Sequence, residues 1–378
     1  MRLQFYEEIP ESTHRVFLRT DYNVPIKKGK VQDTYRIKKS LGTIHGLLSN
    51  NVQQIVIGTH MGRPDGREEA LSTRHLVTPL SELLDLEIHH VKETLPKPGD
   101  IPSSTQAKIV LLENLRFNNE EVYNENSYAK RLANLADIYV NDAFGVSHRK
   151  HASVDAITQY LPSFYGELIK KEVDVVKEVL DNDSLVVILG GSKLAGKLPV
   201  IHKMTQKAQR VYIGGKMMLP FISRQGHSIG KASQDEKAER LISSVTNADN
   251  LVLPTDVVVA DTMEKPNRIQ NVSIDNIPQT MYPLDIGKES VQTILEGVVD
   301  AEYVVWNGPL GYYENSLFAK ATNTVLDALK DHQGKVIIGG GDTANAVHDR
   351  YSDDAFYHVS TGGGAFLTLL KDGSLPTI

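Results

Sequence analysis

Glycines 339 to 341, reached from the apolar run Lys335-Val-Ile-Ile338 and followed by Asp342-Thr343, are the residues whose types and spacing point most directly to chemistry. A β-branched run ending in glycines predicts a buried strand feeding a tight turn, and Asp342 with Thr343 predicts the N-cap of a following helix. Unsatisfied N–H groups and the positive end of the helix dipole gather at such a junction. Glycine lets an anion approach that backbone, so the stretch suits a phosphate. Alone, the same residues also suit an ordinary glycine turn in an α/β sheet.

Other segments narrow the choice. Gly191-Ser-Lys-Leu-Ala-Gly-Lys197 follows a predicted strand and matches the G-x-x-x-x-G-K part of a P-loop, but Leu198 stands where the Mg²⁺-binding hydroxyl would be needed. A true P-loop is therefore not expected. What remains is the pair Lys193 and Lys197, which at i and i+4 would place two mobile cations on one side of an opening helix; the other reading is a solvated basic face. Gly339-x-Gly341-x-x-Ala344 fits a permissive dinucleotide fingerprint. The acidic residue required about twenty positions on is replaced by Ser360-Thr-Gly-Gly-Gly364, so a nicotinamide enzyme is not expected either.

Basic residues mark the ends of other predicted strands. Arg19, Arg36, His60, Arg63, Arg116, His148, Arg149 and His151 all fall in the first half. Guanidinium forks bind phosphate and carboxylate bidentately, and several in one half favour an anion site over isolated structural roles. The histidines could be metal ligands. With neither H-E-x-x-H nor a carboxylate cluster beside them, they read as neutral donors or imidazolium cations. Asn141-Asp142 could supply a nucleophile or base; lacking a Ser or His partner at recognisable spacing, Asp142 is expected as a buried carboxylate tying strand ends together. No Ser-His-Asp set and no general base emerge. Phosphoryl transfer to an acceptor that is already anionic needs positioning and charge neutralisation more than proton transfer.

The elements that must hold these residues form two series. Val16 to Leu18, Ile55 to Ile57, Ile109 to Leu112 and Ile138 to Val140 predict strands, with helical faces at Ile37, Leu41, Ile44, Leu47 and Leu48, and again at Leu76, Leu80, Leu83 and Leu84. A helix is predicted from Glu167 to Asn182. A second series runs through Leu185 to Leu189, Val211 to Ile213, Val257 to Ala260, Tyr303 to Trp306, Val336 to Ile338 and Tyr357 to Val359. Two α/β domains joined by a long helix follow, with ligands expected beyond the carboxyl ends of the strands. The 378 residues suit about two domains. The net charge of −6 gives no sign of nucleic-acid binding. No cysteine is present, which excludes disulfides and thiolate chemistry. An N-terminus without an apolar core and apolar runs of only about five residues predict no leader and no membrane span, and hence a cytoplasmic protein.

Taken together, Arg19-Thr-Asp-Tyr-Asn-Val-Pro25, Thr59-His-Met-Gly-Arg-Pro64, Leu112-Glu-Asn-Leu-Arg-Phe117, Tyr139-Val-Asn-Asp-Ala-Phe-Gly145 with Ser147-His-Arg-Lys-His151, Gly190-Gly-Ser-Lys193, Leu253-Pro-Thr-Asp256, Trp306-Asn-Gly-Pro-Leu-Gly311, Gly339-Gly-Gly-Asp-Thr343 and Val359-Ser-Thr-Gly-Gly-Gly364 resemble, in order and spacing, the signature segments of the phosphoglycerate kinase family. The resemblance implies two Rossmann-like parallel-sheet domains joined by a long hinge helix. Its divisions would be a phosphoglycerate-binding domain at 1–163, a linker helix at 164–183, a nucleotide-binding domain at 184–365, and a tail at 366–378 packing back on the first domain. It implies reversible phosphoryl transfer between 1,3-bisphosphoglycerate and Mg-ADP, giving 3-phosphoglycerate and ATP in glycolysis, by a monomer. Carried over, Asp21, Tyr22, Asn23, Arg36, His60, Arg63, Arg116 and Arg149 form the phosphoglycerate site. Lys193, Lys197, Asn307, Glu314, Gly340, Gly341, Asp342 and Thr343 form the nucleotide site; Asp342 would hold Mg²⁺, Glu314 the ribose, and Arg36, Lys193 and Lys197 would be catalytic. Gly196, Lys216 and Pro283 depart from the family pattern, and they bear on loop stiffness and nucleotide affinity. The competing readings are a P-loop-like kinase of another small acid and a non-catalytic protein that keeps the fold.

Overall fold

The computed structural model describes residues 3–233, 236–352 and 354–378. The chain separates into two compact units, one of residues 1–174 with Ser374–Ile378 and the other of Val175–Gly373.

The first unit carries strands β1 (Arg15–Arg19), β2 (Ile26–Lys27), β3 (Lys30–Val31), β4 (Gln54–Gly58), β5 (Ile88–Val91), β6 (Ile109–Leu112), β7 (Ile138–Asn141) and β8 (Ser163–Tyr165). Its helices are α1 (Tyr35–Ser49), α2 (Val77–Leu84), α3 (Asn119–Val122), α4 (Asn126–Ala133) and the start of α5 (Glu167–Asp181). All but β2 and β3, which form a small hairpin, make one parallel sheet in the order β5-β6-β4-β1-β7-β8. Helices cover both faces of such a sheet, so its strands must be apolar throughout rather than alternating; β4 and β6 are buried at every residue. β5 and β8 were not among the predicted strands, because Ile88-His-His-Val91 and Ser163-Phe-Tyr165 are edge segments with too little apolar length to signal themselves.

The second unit carries β9 (Leu185–Leu189), β10 (Arg210–Ile213), β11 (Leu251–Val252), β12 (Asp256–Ala260), β13 (Ile269–Ser273), β14 (Tyr282–Ile286), β15 (Tyr303–Asn307), β16 (Lys335–Gly339) and β17 (His358–Val359). Beyond the end of α5, its helices are α6 (Leu194–Thr205), α7 (Leu219–Arg224), α8 (Glu236–Leu241), α9 (Lys288–Val298), α10 (Lys320–Lys330), α11 (Gly341–His348) and α12 (Gly363–Asp372). The parallel sheet runs β11-β10-β9-β15-β16-β17. Val257 to Ala260, expected in that series, lies instead in a separate antiparallel sheet ordered β13-β12-β14. An apolar run announces a buried strand but not its partners.

Two further differences concern helices. α11 opens at Gly341 with Gly340 at its N-cap, so Asp342 sits in the first turn and caps nothing. Of the expected tail, residues 366–373 lie within the second unit, where Phe366, Leu369 and Leu370 of α12 are buried; only the last five residues join the first. There Thr377 Oγ1 donates to Ser147 O at 2.8 Å.

In each sheet the chain adds strands on one side of a starter strand and then crosses to the other. It does so around β1 in the first unit and around β9 in the second. The starter's carboxyl end therefore borders a crevice where neighbouring connections leave in opposite directions.

Candidate active site

Register brings the first cluster together. Arg19 pairs with Gly58 and with Asn141, so the residues that follow β1, β4 and β7 emerge side by side: Asp21, His60 and the loop from Asp142 to Arg149. Asp21 is almost fully buried, and Arg36 Nη1 meets its Oδ2 at 2.5 Å. Burial opposes ionisation there, but the positive groups around it, Arg36 first, and the Asn23 N–H outweigh it and hold the carboxyl at about 2. Asn23 Oδ1 accepts from Gly62 N at 2.8 Å and fixes the turn that leads to Arg63. Arg116 Nη1 donates to Gly62 O at 2.7 Å, while burial draws its guanidinium down to about 10. Arg149 Nε donates to His148 Nε2 at 3.1 Å.

Arg63, Arg116, Arg149 and His151 line a cavity of about 510 Å³ whose lining contains no carboxylate. Arg116 Nε is buried there without a hydrogen-bond partner; His148 Nδ1, outside that lining, and His151 Nδ1, 3.8 Å from Glu121 Oε1, are also buried without one. Buried polar atoms are normally satisfied, so Arg116 Nε, among three arginines, marks a place for an anion with acceptor oxygens. Tyr22 does not join them: its ring is in the core and its hydroxyl meets Ser40 Oγ at 2.6 Å, burial pushing its ionisation above the usual range. Glu121, fully buried beneath the arginines, had no motif to announce it.

In the second unit Leu189 pairs with Asn307 and Asn307 with Gly339, which gathers Gly190-Gly191, Asn307-Gly308 and Gly340-Gly341 at one sheet end. A side chain is excluded at Gly308 (φ +97°), where a Cβ would lie 2.3 Å from Gly190 O. Gly340 takes φ +90° to turn the chain from β16 into α11. Lys197 Nζ donates to Gly190 O at 2.6 Å and to Asn307 O at 3.0 Å, so it is anchored, whereas Lys193 precedes α6 and is exposed. The two lysines are thus not the matched mobile pair predicted. Burial lowers Lys197 to about 8 although Asp342 favours its charge. Asn307 Nδ2 is buried without a partner. Thr343 is buried, its hydroxyl oxygen accepting from Gly308 N at 2.7 Å.

A cavity of about 430 Å³ opens beside these loops. Glu314 and Asp342 line it together with Gly191, and Met218, Leu219, Leu284, Pro309 and Tyr312 supply apolar walls that no spacing in the sequence announced. Lys216 and Pro283 stand in the same lining, while Gly196 lies in α6 with open space where a Cβ would be. A concave apolar site with a few placed polar groups beside a glycine-edged helix start suits a nucleotide.

One α/β unit with a basic, carboxylate-free cavity and another with an apolar cavity at glycine turns describe an enzyme of the phosphotransferase class. The profile of the family described as "Phosphoglycerate kinase" matches residues 7–373. The chain is 38% identical to the phosphoglycerate kinase of Trichodesmium erythraeum over 382 residues, covering 97% of this chain and 95% of that one. It is 39% identical to the enzyme of Microcystis aeruginosa, covering 96% and 94%. The solved phosphoglycerate kinase of Coxiella burnetii superposes with a TM-score of 0.85 at 30% identity, covering 100% of this chain and 98% of that one. The chain belongs to the phosphoglycerate kinase family.

Proposed function

We propose that the first unit binds phosphoglycerate in its basic cavity, that the second binds ADP or ATP in its apolar one, and that Arg36, Lys193 and Lys197 neutralise the phosphoryl group as it passes between them. The observation that carries this reading is the buried, unpartnered Arg116 Nε in a cavity lined by three arginines and no carboxylate. Such a site binds a phosphate that is not transferred. Asp21, held ionised by Arg36, and Asn23 complete the edge where the rest of a three-carbon acid would lie. In the second unit the base would lie against Met218, Leu219 and Leu284, the ribose by Glu314, and the phosphates at Gly340-Gly341 and Asn307.

The donor set fits Mg²⁺ only in part. Among the described residues no group of three or more His, Asp or Glu could cage a metal. Asp342, exposed in the first turn of α11, offers a single carboxylate, which suits an ion that keeps phosphate oxygens and water as its other ligands and screens their charge. No general base is assigned, because the acceptor is itself a carboxylate. The reading includes a monomer of the cytoplasm acting on free metabolites, with α5 as a hinge element. A coupled assay tests it: ATP consumption should depend on 3-phosphoglycerate and Mg²⁺, and consumption indifferent to 3-phosphoglycerate would remove it.

A further inference from the structure

Arg19 has no place among the substrate contacts just assigned, yet it is the largest charged side chain buried completely. It is clamped from behind. Nε donates to Ser153 Oγ at 2.7 Å, Nη1 donates to Thr20 O, and Glu121 Oε1 lies 3.7 Å from Nη2. Glu121 is itself fixed by Ser153, whose N and Oγ reach its two oxygens at 2.9 and 2.6 Å. With Nε and Nη1 committed, Nη2 faces His60 Nδ1 at 3.5 Å.

A guanidinium has N–H donors and no acceptor, so the imidazole nitrogen facing it must present a lone pair. A neutral imidazole carries one N–H, which then falls on Nε2; the hydrogen bond at one ring nitrogen sets the proton at the other. His60 Nε2 lies 3.8 Å from Asp21 Oδ1, an acceptor. We propose that Arg19 is a positioning residue that locks His60 as the neutral Nε2–H tautomer and so presents a fixed donor to an acceptor oxygen of phosphoglycerate. Burial, which holds the imidazole well below its ordinary pKa, keeps it neutral; Asp21 opposes this, while Arg19, Arg116 and Arg36 act in the same direction as burial. The charge of Arg19, with Glu121 Oε1 3.7 Å from Nη2, disfavours the imidazolium, and the direction of its Nη2–H places the remaining proton.

The tautomer is a property of the unliganded protein, whereas the identity of the acceptor rests on the reading of the basic cavity and its surroundings, the basin, as the phosphoglycerate site. Long-range ¹H–¹⁵N spectra of the ¹⁵N-histidine-labelled protein, with His60→Gln identifying the signals, should show a pyridine-type Nδ1 and a pyrrole-type Nε2 at His60. A proton on Nδ1 overturns the proposal, and this measurement needs no change at Arg19. Arg19→Met should replace the single tautomer by a mixture and raise the KM for 3-phosphoglycerate about tenfold, with a smaller effect on kcat. Arg19→Lys should restore much of both. A folded Arg19→Met that keeps the single Nε2–H form also overturns it. If the native spectrum is as expected but 3-phosphoglycerate does not perturb His60, the assignment of the basin fails while the tautomer stands.

Discussion

At the scale of single residues, the proposed roles divide the charges into those that grip and those that meet changing charge. Arg63, Arg116 and Arg149 line a cavity suited to a phosphate whose charge hardly alters during reaction, so losing one weakens ground-state and transition-state binding alike and raises KM. Arg36 is set apart from that lining and pinned to Asp21. Removing a donor to a moving group costs on the order of 10² to 10³ in kcat. Arg36→Ala should therefore lower kcat at saturating substrates at least about tenfold more than Arg63→Ala does, with circular dichroism unchanged. A normal kcat with a raised KM would take Arg36 out of the transition state. Lys197 gives a second readout. Its depressed value means that the free enzyme loses this charge as pH rises past about 8, so kcat/KM for nucleotide should fall on that limb. Bound phosphate favours the ammonium and moves the limb of kcat higher. In Lys197→Arg the limb should leave the accessible pH range, and a limb that stays must belong to another group.

At the scale of elements, the start of α5 depends on a carboxylate from elsewhere. Asp142, just beyond β7, accepts from Leu168 N at 3.0 Å, Ile169 N at 3.3 Å and Thr43 Oγ1 at 2.7 Å. It thus satisfies orphan N–H groups of the first turn and ties the loop behind the basin to α5. Asp142→Ala leaves those donors buried and unpaired, and urea unfolding should show a loss of about 2 to 4 kcal/mol. Hydrogen exchange should be fastest to change in the first turn of α5. Burial pushes the Asp142 carboxyl up to about 7 from an ordinary 3.8. Since the folded value lies above the unfolded one, the native state holds the proton more tightly. This contribution to stability is full below the unfolded value and is lost as pH rises through about 7. Asp142→Asn should flatten the decline between about pH 4 and pH 7; an unchanged slope would place its origin in other groups.

At the scale of the whole molecule, phosphoglycerate and nucleotide are assigned to different units, each with its own sheet and core. Transfer demands that the donor and acceptor oxygens come into line in a site closed to water. The boundary between the units falls inside α5, whose second half is fastened within the second unit by Glu178, which accepts from Lys335 Nζ at 2.6 Å and from the hydroxyls of Tyr303 and Tyr357. Solution scattering should give a smaller radius of gyration with both ligands bound than with either alone. Unchanged scattering in a protein shown to be turning over would sink this account of the motion.

The sequence by itself determined the strand runs, the glycine turns and the cationic loop residues, because each is written in local composition. Together with the spacing of nine segments, these were enough to indicate the family. Tertiary structure decided the rest. Whether Val257 to Ala260 joined the parallel sheet depended on partners far along the chain, and register alone brought Asp21 to His60 and Asn307 to Gly340. Tyr22 belongs to a signature segment yet turns inward, and Lys197, spaced like a mobile cation, is held by two carbonyls. Arg19 read as one more basic loop-end residue; only burial, and the committed directions of its other nitrogens, gave it a partner in His60. Residue type fixes what a group can donate or accept, but the direction in which it does so is set by neighbours that only the folded chain supplies.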